Sequence, residues 1–208
     1  MIAYLGRRMA GAWSAIAAST VLLALAAPTW AEEAPSKLQQ ILRNAHDQVG
    51  VTIHYDPSYQ TIPFPNGDVP LERGVCTDVI VRAYRSVGID LQLLVNQDMR
   101  QAFQAYPRLW GLSRPDPNID HRRVQNLATF FTRQKAQLPV SIDARDYAAG
   151  DIVTWRLPGG QPHIGIVSDQ ARDGRPLIVH NIGSGAKLED ILFGYQITGH
   201  YRFNPDRS

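Results

Sequence analysis

Cys76 is the single cysteine of the chain and stands in the run Gly74-Val75-Cys76-Thr77-Asp78, where an apolar stripe of helical period begins. A thiol becomes a strong nucleophile on losing its proton, and a helix N-terminus favours the thiolate through unpaired N–H groups and the macrodipole. The same N–H groups are available to a developing oxyanion. Such chemistry also needs a base and a group that orients the base. His163 opens the apolar run His163-Ile164-Gly165-Ile166-Val167, and His180 closes Leu177-Ile178-Val179-His180. Counting by two puts Ile178 and His180 on one face of their strand. If the two strands are neighbours, both imidazoles share a side, giving Cys76 as nucleophile, His163 as base and His180 as orienter. The same residues also have a plainer reading: a cysteine at a helix start packs, and a histidine at a strand edge is a partly exposed polar residue.

Other constellations carry less chemistry. His163, His180, His121, His200, Asp120 and Asp151 contain metal-ligand types, but no His-x-x-x-His or HExxH spacing links them. No GxxxxGK[ST] or GxGxxG run supports a nucleotide, so no cofactor is expected. Asp120-His121-Arg122-Arg123, in a polar loop, is either an anion-binding group or a solvated charge cluster. His46, His54 and His200 are read as structural.

The elements that must position these groups follow from periodicity. Ser36 to Val49 reads as a helix capped by Ser36 and ended by Gly50. Residues 55–74, rich in Pro, Asn, Gly and Asp, read as a long loop. Helices are expected from Cys76 or Thr77 to Gly88, from Leu93 to Ala105 and from Val124 to Gln137, with 107–123 irregular. From Gly150 the period changes to two, predicting strands at 151–155, 163–167, 177–180 and 198–203. Helices followed by an antiparallel meander predict an α+β domain.

The 208 residues, 44% apolar and 19% charged, suit one globular domain. Residues 1–31 hold Arg7 and Arg8, a weakly polar stretch with the block Val21 to Ala27, then Thr29-Trp30-Ala31 ahead of Glu32-Glu33. That layout predicts a signal peptide cleaved after Ala31, with an uncleaved membrane anchor as the alternative. The division is thus 1–31 leader and 32–208 a single domain, located in the periplasm or otherwise exported. Losing the two arginines brings the 21 basic residues level with the 19 acidic ones, so nothing points to nucleic acid. A lone exported thiol has no internal disulfide partner, so it is buried and inert or kept for reactivity. The oligomeric state is not legible.

Three segments together resemble the NlpC/P60 group of papain-like cysteine peptidases: Gly74-Val75-Cys76-Thr77-Asp78-Val79-Ile80, Gly150-Asp151-Ile152-Val153-Thr154-Trp155, and His163 to Val167 followed by Ile178-Val179-His180. With Asn118-Ile119-Asp120-His121-Arg122-Arg123, Val179-His180-Asn181-Ile182-Gly183 and Gly199-His200-Tyr201-Arg202, the chain is more similar still to the bacterial family DUF1287, over roughly residues 38–203. The resemblance implies a papain-like fold, N-terminal helices packed on an antiparallel sheet, and a Cys76-His163-His180 triad cleaving an amide or peptide bond in peptidoglycan or another envelope peptide. Tyr55, Tyr59, Trp110, Asp120, His121 and Arg122 are the substrate-binding candidates. Two departures stand out. Val75-Cys76-Thr77-Asp78 replaces the usual Asp-Cys-Ser-Gly, and a long insertion carrying Trp110 and the 118–123 loop separates Cys76 from Gly150. A non-catalytic envelope-binding module of the same fold and a thiol acyltransferase or transamidase are the alternatives.

Overall fold

Among the described residues, four helices precede most of a six-stranded antiparallel sheet. The structure is a computed structural model that describes residues 1–2 and 34–206, and the leader expected over 1–31 falls outside the described residues but for its first two. Contacts gather residues Pro35–Ser208 into one unit, apart from Met1–Ala34. No helix among the described residues is long and apolar enough to cross a membrane.

Helix α1 (Lys37–Asp47) starts where Ser36 and Gln39 form a reciprocal capping box and buries Ile41, Leu42 and Ala45 along one face. Helix α2 (Cys76–Arg85) is buried along nearly its whole length, and the chain leaves it at Gly88, whose φ of +81° suits the left-handed exit. Helix α3 (Leu91–Ala102) is capped by Asp90 through the Gln92 N–H. Helix α4 (Val124–Arg133) turns Leu127, Phe130 and Phe131 inward.

The 55–74 segment is irregular as expected, except that its two ends pair as short parallel strands, β1 (His54–Tyr55) and β2 (Arg73–Gly74). The helix expected to reach Gln137 stops at Arg133, because Gln137–Leu138 joins the sheet as β3. The meander is β4 (Ile152–Arg156), β5 (Pro162–Arg172), β6 (Arg175–Asn181), β7 (Ala186–Glu189) and β8 (Gln196–Tyr201), in the spatial order β3-β8-β4-β5-β6-β7. Strand β7 is not among the strands expected from the sequence.

Strand alternation sorts the sheet into two faces. Ile152, Ile164, Ile166, Val179 and Tyr201 join the main core with α1, α2 and α4. Val153, Trp155, Val167 and Ile178 form a second apolar layer under Tyr147 and Leu192. The α+β class read from the sequence is the observed class.

Candidate functional site

Cys76 is the first residue of α2, and the sequence holds it there by an unusual cap. Val75 has no side-chain acceptor, so Asp78, one turn on, accepts the Val75 N–H at 2.7 Å. The guanidinium of Arg122 straddles the Asp78 carboxylate, with Nε 3.0 Å from Oδ1 and Nη2 3.0 Å from Oδ2. Both side chains are almost fully buried, at 2% and 4% exposure. The remaining donor capacity of Arg122 goes to the carbonyls of Asp56 and Ser58. One arginine thus ties the start of α2 to the 56–58 loop. A second tie runs from β6: Asn181 Nδ2 donates to the carbonyl of Gly74, two residues before the cysteine.

On the sheet, Gly165 lies opposite His180 in the β5–β6 register. His163 is two residues from Gly165 and therefore shares its face. The expected neighbourhood follows: His163 Nε2 and His180 Nδ1 are 3.1 Å apart, and the rings meet edge to face. His180 continues the line through Nε2 to Oε2 of Glu189 at 3.0 Å. Glu189 is a residue the sequence reading missed, because β7 was missed; the alternation Ala186-Lys187-Leu188-Glu189 is the signal that was present.

The thiol meets this group through the backbone. The N–H of Ile164, the residue after His163, acts on the Cys76 sulfur and favours its thiolate. Ile164 turns toward α2, whereas His163 faces Trp155, its partner in the β4–β5 register. Among the described residues no hydrogen bond joins Cys76 directly to His163.

Burial opposes the thiolate that a helix N-terminus favours. Cys76 is 4% exposed. Desolvation, reinforced by the Asp78 carboxylate, pushes the thiol up to about 12, against the lowering pull of the Ile164, Thr77 and Cys76 N–H groups. Burial also takes His163 down to about 3, with His180 adding to the shift. His180 is lowered by burial too, with Glu189 opposing. Burial thus disfavours the charged form of the thiol and of both imidazoles.

A cleft of about 540 Å³ opens over Cys76, walled by Tyr55, Tyr59, Trp110, Arg122, Gln125 and Gln161 among others. Tyr55 hangs from β1 opposite Gly74, and burial with the nearby Cys76 and Asp78 pushes its phenol up to about 12. Tyr59 donates to Asp116 at 3.1 Å, and Arg123 stacks on Trp110 at 4.0 Å from the ring centroid.

The remaining substrate-binding candidates are placed differently. Asp120 and His121 do not line this cleft. Asp120, 1% exposed, pairs with Arg123 and accepts the Asp116 N–H within the loop that carries it. His121, 2% exposed, is driven down to about 3 by burial and by Arg122 and Arg85. Arg122 reaches the wall while donating to Asp78 and to the 56–58 carbonyls. The charge cluster is a buried brace rather than a solvated loop. No set of three or more His, Cys, Asp or Glu among the described residues could hold a metal ion.

Residues 42–203 match the family described as Domain of unknown function (DUF1287). The chain belongs to the DUF1287 family. It is also 56% identical over 164 residues, covering 78% of this chain and 80% of the relative, to Uncharacterized protein YijF of Escherichia coli (strain K12). The DUF1287 match runs from within α1 to just past β8, so it contains Cys76, His163, His180 and Glu189 together with the Asp78–Arg122 brace.

Proposed function

We propose that this DUF1287 chain is an exported thiol hydrolase that cleaves an amide or peptide bond, with peptidoglycan peptides as the substrate class suggested by its resemblance to NlpC/P60 proteins. The observation that carries the reading is the 3.1 Å pair of hydrogen-bonded imidazoles on β5 and β6, with Ile164, the residue after the first, packed in one core with a thiol at a helix N-terminus. The open cleft above the sulfur supports it.

In this mechanism a substrate carbonyl enters the cleft over Cys76. The sulfur attacks the carbonyl carbon as the thiol proton passes to His163, so the resting neutral pair ionises only as the new bond forms. This requires the His163 imidazole, which faces Trp155 on the side of β5 away from Ile164 and α2, to swing to the sulfur on substrate binding. The oxyanion is held by the backbone N–H of Cys76, with Tyr55 as the side-chain donor facing the same space. His163 then gives its proton to the departing amine, and the C–N bond breaks to leave a thioester. Water attacks the thioester, His163 takes a proton from it, and the acid and free thiol are restored. An amine in place of water would make the same intermediate a transamidation.

The deciding experiment incubates purified peptidoglycan with wild type and with Cys76→Ala and analyses the soluble products by mass spectrometry. New peptide termini in the wild-type digest alone are expected; identical digests would remove the hydrolase assignment. A second reading, a non-catalytic envelope-binding module, is favoured by the buried, upshifted thiol and the absence of a direct thiol–imidazole bond among the described residues. It predicts that wild type and Cys76→Ala co-sediment equally with insoluble peptidoglycan and that neither releases product.

A further inference from the structure

The line of hydrogen bonds does not stop at the second imidazole, and its far end decides the state of its near end. Glu189 lies on β7 opposite Ile178, one diagonal step from His180. Its carboxylate is partly exposed at 42%, whereas the His180 side chain it meets is 1% exposed. An ionised carboxylate can only accept, so the facing His180 Nε2 must carry a hydrogen. In a neutral ring the other nitrogen is then an acceptor. His180 Nδ1 therefore accepts, and the hydrogen in its 3.1 Å contact belongs to His163 Nε2. That leaves His163 Nδ1 with its lone pair free.

We propose that Glu189 is the positioning residue of this site: by accepting from His180 Nε2 it fixes both imidazoles as Nε2–H tautomers and leaves Nδ1 of His163 as the available base. The catalytic consequence rests on the thiol-hydrolase reading above; the tautomer assignment does not. Without the carboxylate nothing on β7 distinguishes the two directions of the line. In the reverse direction His163 carries its hydrogen on Nδ1 and has no lone pair to offer a thiol. Glu189 has a second effect. When His163 takes up a proton the buried pair becomes cationic, and this carboxylate is the anion bonded to it. Among the described residues the other charged group facing His180 is Lys187, its partner in the β6–β7 register, which opposes that charge.

Ring ¹⁵N chemical shifts of histidine-labelled protein, read by long-range proton–nitrogen correlation near pH 8, test the assignment without any substrate. Wild type is expected to show His163 and His180 each with a protonated Nε2 and a bare Nδ1. Glu189→Ala is expected to lose that preference, with shifts averaging between tautomers or reversing. Lys187→Ala, a change on the same edge strand that keeps the acceptor, is expected to leave both tautomers as in wild type. Nδ1–H tautomers in wild type, unchanged tautomers in Glu189→Ala, or an equal change in Lys187→Ala would each overturn the proposal. If peptidoglycan turnover is observed, Glu189→Ala lowers kcat by roughly tenfold or more at little changed KM. An inactive wild type with the expected tautomers would remove the hydrolase reading and leave the assignment standing.

Discussion

Replacing Arg122 with alanine removes a guanidinium that joins three parts of the molecule at once. The Asp78 carboxylate loses both of its Arg122 donors and keeps the Val75 N–H, while remaining almost fully buried. The carbonyls of Asp56 and Ser58 lose their donor as well. Breaking a buried ion pair by deleting one partner costs about 3–5 kcal/mol, chiefly because the surviving charge is stranded away from water. At about 2–4 °C per kcal/mol for a domain of this size, Tm is expected to fall by roughly 6–20 °C. The double variant Asp78→Asn with Arg122→Met holds no stranded charge, so it is expected to be more stable than Arg122→Ala by about 1–3 kcal/mol. Thermal and urea melts followed by circular dichroism measure both. A single variant melting within about 2 °C of wild type, or a double variant whose cost is the sum of its singles, would refute the brace.

Acid stability carries the mark of the buried neutral histidines. His121 and His163 titrate near 6.5 when unfolded but are held down to about 3 in the fold, so between these limits the unfolded chain binds more protons and stability falls as pH falls. Each contributes a slope of about 1.4 kcal/mol per pH unit; urea midpoints from pH 4.5 to 7.5 should show His121→Met losing one such contribution, and an unaltered slope would count against it. Gly165→Ala would set a Cβ 2.6 Å from Ile178 Cγ2 and 3.1 Å from His180 Cβ, so a Tm drop worth about 1–3 kcal/mol and altered His180 ring resonances are expected. Unchanged spectra would mean that the strand absorbs the methyl freely. Gly185→Ala meets both a φ of +88° and the Thr52 carbonyl at 2.5 Å, and a melt indistinguishable from wild type would contradict that turn. Iodoacetamide should alkylate native Cys76 slowly at pH 6–8 and much faster after urea unfolding, since burial holds the thiol neutral; rapid native labelling would reveal a thiolate.

What the sequence disclosed is what local patterning encodes. The apolar stripe of α2, the Ser36 cap of α1, and the alternation of β4, β5 and β6 each arise from residues within a few positions of one another. The meeting of His163 and His180 was legible because strand parity and a hairpin connection suffice to place them. The role of Arg122 was not, because its partner Asp78 lies 44 positions away and nothing nearby marks either residue as buried. Asp120-His121-Arg122-Arg123 therefore looks like a polar loop although three of its four members are interior. The same limit hid the thiol's environment. A helix N-terminus is visible in a sequence, but the burial that overrides it comes from strands nearly a hundred residues downstream. Glu189 was lost with β7, a strand of four residues.

The spatial order of the sheet inserts its last strand between β3 and β4. Without β8 those two strands would have no strand between them, and Asp151 would lose both His200 and Arg202. Tyr84 of the cysteine-bearing helix likewise finds its acceptor only at the Phe203 carbonyl. The polypeptide is therefore latched from its tail: a chain halted by a premature stop before Gln196 would own every residue of the proposed chemistry and still lack the keystone that lets them assemble.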